Sequence, residues 1–370
     1  MGITAIFARC SPYCVNLLTA ATRSRTERGL LDSQLLAAAS VGDASGCMDF
    51  VAQRPSGTAA RRSLLAAAER GDAKCSSLLI PIASKFALVE FLSRAANVGS
   101  VECVRLMISQ ALRKEDYSKA LLHAAKNGHF ECAKILIPFS DPLASNSIAL
   151  INAALNGHAE CVKLLIPVSD PLSNDCAALV SASTNGKAEC VKLLLPVSGP
   201  SSQKSIALVE AAAGGHYDCV KLLIPEADPT YSYSKALCLA AAHGHAECVK
   251  LLAPVSDPKA VGITALSWAA EEGHGDCVKI LLAASSGTLS ANHAPVFTAI
   301  RHGRADMLAI MLDHEPGLAA TLDLPSIHAG AVLEGHKDIA AMLGRLIERE
   351  AIASAAGSSG DTAPRASRRL

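Results

Sequence analysis

The chain has 370 residues, half of them hydrophobic, with 34 Lys plus Arg against 34 Asp plus Glu, a pI near 7.2 and a positive mean hydropathy. Balanced charge, with no block of one sign before the basic end PRASRRL, gives no electrostatic footprint for nucleic acid. Charged residues interrupt every apolar run well short of the ~18 residues that a membrane-spanning helix needs, so no span is expected.

The start, MGITAIFARC, has no basic residue ahead of its very short apolar run and does not read as a secretory signal. Ile6 stands where a myristoylation motif wants Ser or Thr. The first acid is Glu27, after Arg9, Arg23 and Arg25, which leaves an organelle transit peptide as the alternative. Gly2-Ile3-Thr4-Ala5-Ile6 echoes Gly262-Ile263-Thr264-Ala265-Leu266, and Cys14 to Leu18 echoes Cys277 to Leu281. Residues 1–29 are therefore expected to be a degenerate partial repeat or an irregular segment, with polar Thr22 to Gly29 as a loop or linker.

Residues 30–348 are periodic. Gly42, Gly71, Gly99, Gly128, Gly157, Gly186, Gly215, Gly244, Gly273, Gly303 and Gly335 follow one another at steps of 28 to 32 residues, most of them 29. Ahead of each glycine runs an AL-x-x-AA pattern, as in Ala120, Leu121, Ala124 and Ala125, whose spacing lines one helix face with small residues. Behind it comes a second apolar stripe, as in Cys161, Val162, Leu164 and Leu165, closed by Pro167. Each unit thus reads as two helices of about eight to ten residues, too short to persist alone and stable only when stacked. Ser118, Ser147, Ser205 and Ser234, ten residues before their glycines, read as N-caps of the first helix. The glycine ends that helix in a left-handed turn, proline ends the second, and an Asp-Pro pair such as Asp170-Pro171 starts the next turn.

The pattern Thr264-Ala265-Leu266-Ser267-Trp268-Ala269-Ala270-Glu271-Glu272-Gly273-His274, followed by Asp276-Cys277-Val278-Lys279-Ile280-Leu281-Leu282, resembles the ankyrin-repeat family, as does Ala294-Pro295-Val296-Phe297 in place of TPLH. The resemblance covers residues 30–348 and implies an all-α solenoid of about 10 to 11 stacked helical hairpins. The Thr-Pro and His of TPLH are missing from nearly every unit, and the link after SDP is about three residues shorter than the family's ~33-residue unit provides. Short loops or tight turns are therefore expected where the family has β-hairpin fingers. From Glu350 the chain turns to AIASAAGSSGDTAPRASRRL, and residues 349–370 are expected to form a disordered basic tail.

His158-x-x-Cys161 looks like a chemical site, but Cys75, Cys103, Cys132, Cys161, Cys190, Cys219, Cys248 and Cys277 all take one repeat position, four after the glycine. Stacked helices lie about 8 to 10 Å apart, beyond the roughly 7 Å that a disulfide allows, and one pair per unit supplies too few zinc ligands. The cysteines read as core, which implies a reducing, cytoplasmic setting. A thiol or metal protein using the ladder is the alternative. Off the ladder, Cys176 is expected in a loop and is the thiol most open to reaction. His129, His158, His216, His245, His274 and His336 are expected to bond within the interhelix turn. Rows such as Glu160 with Lys163 read as i, i+3 pairs on a solvated face, and Trp268 reads as core.

No nucleotide, hydrolase or metalloprotease motif is present, so a non-enzymatic chain without cofactor is expected. Differences between units gather in the loops after SDP and in the pair before the glycine. By resemblance both regions line a concave surface that holds a protein partner. The candidate residues are Lys126, Asn127, Asn156, Thr184, Asn185, Tyr231, Tyr233, His243, Glu271, Glu272, Arg301 and His302. A monomeric interaction scaffold is the leading expectation. A bacterial-type effector delivered into a host cell, with the basic tail as its signal, is the other.

Overall fold

The computed structural model describes residues 12–53, 55–110, 112–199, 201–257, 259–285 and 288–358. Among these the chain is all helical, without a strand, and divides into two compact units, one through Ala178 and one from Leu179. No described helix is long and apolar enough to cross a membrane.

In the first unit, each repeat supplies a first and a second helix. The pairs are α1 (Pro12–Val41) with α2 (Ala44–Val51), α3 (Gly57–Arg70) with α4 (Ala73–Leu79), and α5 (Lys85–Val98) with α6 (Val101–Ile108). Then come α7 (Lys114–Lys126) with α8 (Phe130–Leu136) and α9 (Ala144–Asn156) with α10 (Ala159–Leu165). The division between the units falls inside α11 (Ser173–Thr184), whose partner is α12 (Ala188–Leu194). The second unit continues with α13 (Ser201–Ala213) and α14 (Tyr217–Leu223), α15 (Tyr231–Ala242) and α16 (Ala246–Leu252), and α17 (Leu266–Glu272) and α18 (Gly275–Ala284). After the short α19 (Thr288–Ala291) come α20 (Ala294–Arg301) with α21 (Ala305–His314) and α22 (Leu324–Leu333) with α23 (Lys337–Ser358).

Within each unit, first helices pack on first helices and second on second, which makes two layers. The small faces allow this: Ala120, Leu121, Ala124 and Ala125 of α7 are buried, as are Cys132, Ala133 and Leu136 of α8. Each fully buried leucine contributes roughly 1.5–3 kcal/mol, while no seven-residue helix would hold by itself.

The framework glycines close the first helices as their positions require. All eleven have φ between +66° and +84°, a region costly for any residue with a Cβ. In repeat 4 the Gly128 N–H donates to the Ala125 carbonyl and the His129 N–H to the Ala124 carbonyl, satisfying the helix end. Five second helices run into a single 3₁₀ turn that carries the proline, such as Ile137–Phe139 and Ile166–Val168. The expected loss of the hairpin fingers is borne out. In their place Asp141, Asp170, Asp228 and Asp257 each accept the backbone N–H two residues on, at 2.8–3.2 Å, in a tight turn.

Three details differ from expectation. Most first helices run 12–14 residues because they begin before the serines assigned as caps. Ser118 and Ser205 therefore lie inside α7 and α13, and Ser147 and Ser234 sit in left-handed turns at the starts of α9 and α15. Each hydroxyl instead accepts the backbone N–H of the next Asp-Pro turn, Ser118 from Asp141, Ser147 from Asp170, Ser205 from Asp228 and Ser234 from Asp257, at 2.8–2.9 Å. Thr22 to Gly29 is helical, within α1, not a loop. At the other end α23 runs on through Glu350 to Ser358, whereas residues 359–370 lie outside the described residues, as do Cys10 and Gly2 to Ile6.

Candidate partner-binding surface

The repeating glycines, histidines and turn serines serve the architecture. The rings of five framework histidines do not bond within their own turn. Their Nε2 atoms meet a carbonyl of the preceding repeat: His129 to Asn97, His158 to Lys126, His216 to Thr184, His245 to Ala213 and His274 to Ala242, at 2.9–3.0 Å. A carbonyl only accepts, so Nε2 carries the proton. The ring also lies against the preceding glycine. A Cβ built on Gly128 would stand 2.4 Å from His158 Nδ1, and one on Gly215 would stand 2.5 Å from His245 Nδ1. The glycine is thus required twice, for its dihedral and for its bare Cα. In repeat 10 Arg304 takes the histidine's place, donating from Nε to the Glu271 carbonyl at 2.8 Å.

The cysteine ladder is buried throughout. Burial pushes the Cys132, Cys190, Cys219, Cys248 and Cys277 thiols up to about 11 and Cys75 to about 12. Such thiols hold their protons at neutral pH, the opposite of an activated nucleophile. Among the described residues, no group of three or more His, Cys, Asp or Glu is placed to hold a metal. Cys176 is not in a loop. It is buried near the start of α11, at the repeat position that serine takes at 147, 205 and 234. Of the acid–base rows, Asp276 with Lys279 is paired at 3.7 Å, and the equivalent Glu102 with Arg105 at 3.9 Å. Lys134 instead lies over the Phe130 ring at 5.8 Å.

The candidate contact residues occupy two places. Lys126 and Asn127 at the end of α7, and Asn156 at the end of α9, are exposed in the first unit. Thr184 at the end of α11 and Asn185 after it, His243 after α15, Glu272 of α17, and Arg301 and His302 at the end of α20 are exposed in the second. Glu271 is half-buried and its carboxylate approaches His302 Nε2 at 3.6 Å. His243 Nδ1 and His245 Nε2 converge on the one Ala213 carbonyl, at 2.9 and 3.0 Å.

Tyr231 and Tyr233 begin the helix that His243 caps, about 18 and about 15 Å from it at 1.5 Å per residue. They are therefore not one cluster with it. Ser232, Tyr233 and Ser234 all have φ between +52° and +60°, and the same left-handed run recurs at Ser145 to Ser147 and Asn174 to Cys176. Tyr233 is 88% exposed and Tyr231 37%. Trp268, expected in the core, is 38% exposed. It lies one helical turn before Glu271 and Glu272, a contact candidate that its neighbours Ala269 and Ala270, both buried, disguised in the sequence.

A family model described as ankyrin repeats matches residues 64–146, 92–175, 150–233 and 208–289. No curated protein matches the chain. Among solved structures, the human ASB11 ankyrin repeat domain is 21% identical over 45% of this chain and 84% of that one, with a TM-score of 0.39. The family matches overlap into one stretch from residue 64 to 289, well over half of the sequence, and this chain belongs to the ankyrin-repeat family.

Proposed function

We propose that the chain is a non-enzymatic, monomeric scaffold of the cytoplasm. It binds a protein partner through the ends of its first helices and the turns that precede them. The observation that carries this reading is a division of labour along the repeat. The repeating histidines, turn serines and cysteines are spent on hydrogen bonds between neighbours and on core, the repeating Glu and Lys of the second helices are exposed but alike from repeat to repeat, and the varying pair before the glycine is mostly exposed. In the second unit Thr184, Asn185, His243, Glu271, Glu272, Arg301 and His302 form the polar row, with Trp268 beside it. Tyr231 and Tyr233 supply aromatic anchors of the kind that dominate interface energy. In the first unit Lys126, Asn127 and Asn156 make the corresponding row.

The test is pull-down from native cells with cross-linking mass spectrometry, comparing the wild type with a chain carrying Tyr231→Ala, Tyr233→Ala, His243→Ala and Glu271→Ala together. The variant should keep its helical circular dichroism and lose its cross-linked partner. Partner cross-links retained at wild-type level would overturn the assignment of the surface.

A further inference from the structure

A groove of about 450 Å³ opens between the amino-terminal halves of α5 and α7, lined by Lys85, Phe86, Val89, Arg113, Asp116 and Lys119. All of it lies in the first unit and shares no residue with the surface proposed above. Its apolar part is Phe86 with Val89. Phe86 is 68% exposed although it sits at the second position of a capped helix, whose Ser84 hydroxyl accepts the Ala87 N–H at 3.3 Å. The Arg61 guanidinium lies 5.1 Å from the centre of the Phe86 ring and is itself held by Glu90 at 2.7 Å.

The polar part carries three cations against one carboxylate. Asp116 is almost wholly buried, and Arg113 donates to both its oxygens at 3.1 Å, which holds the carboxyl below its ordinary range. That charge is therefore cancelled inside the wall. Lys85 and Lys119 are exposed and make no ion pair among the described residues. Lys119 also borders a second groove of about 250 Å³ towards α9, where Lys114 and Lys119 face the carboxylates Glu115 and Asp141 and Ser145 begins a left-handed turn. The second groove is bounded by Asp141 and its tight turn.

We infer that this groove docks an acidic peptide segment in which one bulky apolar side chain is flanked by carboxylates. The apolar side chain enters against Phe86 and Val89, and the carboxylates pair with Lys85 and Lys119. Charge complementarity selects this occupant, because beside one exposed ring the groove's three cations outnumber its single buried carboxylate, and its two lysines make no ion pair among the described residues.

The test uses the full chain and the fluorescein-labelled peptide Glu-Asp-Glu-Phe-Asp-Glu, its Phe→Ala form and a form with every acid replaced by lysine, read by anisotropy. The first should bind saturably and the other two more weakly by about tenfold or more. Lys85→Glu with Lys119→Glu, and separately Phe86→Ser, should each weaken the first peptide about tenfold or more. Both variants change exposed side chains, and unchanged circular dichroism confirms their fold. The Tyr231→Ala, Tyr233→Ala, His243→Ala, Glu271→Ala variant should bind the peptide like the wild type, so failure of the earlier reading and of this one are told apart. No saturable binding, equal binding of the Phe and Ala peptides, undiminished binding by the charge-reversed variant, or loss in the Tyr231 and Tyr233 variant would each overturn the inference.

Discussion

Gly128→Ala tests whether the repeats are locked through their glycine–histidine contacts. The residue has φ +76°, and the missing Cβ would stand 2.4 Å from His158 Nδ1. Forcing alanine into this left-handed conformation costs about 1–2 kcal/mol. The methyl also drives the His158 ring away from the Lys126 carbonyl, 3.0 Å distant, and forfeits a hydrogen bond worth about 1 kcal/mol. The expected destabilisation is therefore about 2–3 kcal/mol. In a His158→Ala background the ring is absent, so the same glycine substitution should cost only the backbone strain. The two changes should fall short of additivity by about 1 kcal/mol. The assay is urea unfolding followed by helical circular dichroism, with hydrogen exchange over residues 114–165 because repeat arrays need not unfold in one step. Strict additivity, or a Gly128→Ala cost below about 0.5 kcal/mol, would refute the contact.

Two buried serines should answer alanine with opposite signs. Ser205→Ala strands the Asp228 N–H that it accepts at 2.9 Å and should lose about 1–2 kcal/mol. Ser183 has a buried hydroxyl with no partner, at a position that alanine fills in neighbouring repeats, and Ser183→Ala should gain up to about 1 kcal/mol. Paired thermal melts read both, and equal signs would contradict the assignment. The ladder thiols should react with a disulfide reagent at pH 8 only after denaturation; rapid reaction of the folded chain would overturn their burial. The Cys132 and Cys219 pKa values are raised from 9.0 in the open chain to about 11 when folded. Below pH 9 both states keep these protons, so stability there is independent of the ladder. As pH rises from 9 towards 11 only the unfolded chain releases them, and stability should fall. Melting temperatures that stay flat through that window would show the thiols to be already accessible.

The repeat itself was legible because its signals are local and recur. Glycine ends a helix through its own dihedral, proline through its missing N–H, and alanine faces announce close packing, so the hairpins could be read residue by residue. The hydrogen bonds between repeats could not. The partner of His158 is a carbonyl 32 residues earlier, and that of Ser147 is an N–H 23 residues later. Neither distance has a signature in the chain, and a serine ahead of a helix looks the same whether it caps its own helix or receives the next turn. Trp268 and Cys176 depart from their sequence context for a related reason: neighbours along the chain suggest one environment, whereas burial is set by the repeats on either side. At the candidate surface, exposure of the pair before the glycine was legible, since positions free to vary between copies are those that the stack does not use. The Phe86 groove was not, because it depends on which side chains α5 and α7 bring opposite one another.

The two recurring bonds between repeats share a direction. A histidine finishes the helix end of the repeat before it, and a serine waits for an amide that follows 23 residues later. On the ribosome, each hairpin is therefore completed only when its successor has emerged, and the youngest repeat is always the least finished. Growth of the fold is vectorial, trailing synthesis by about one repeat.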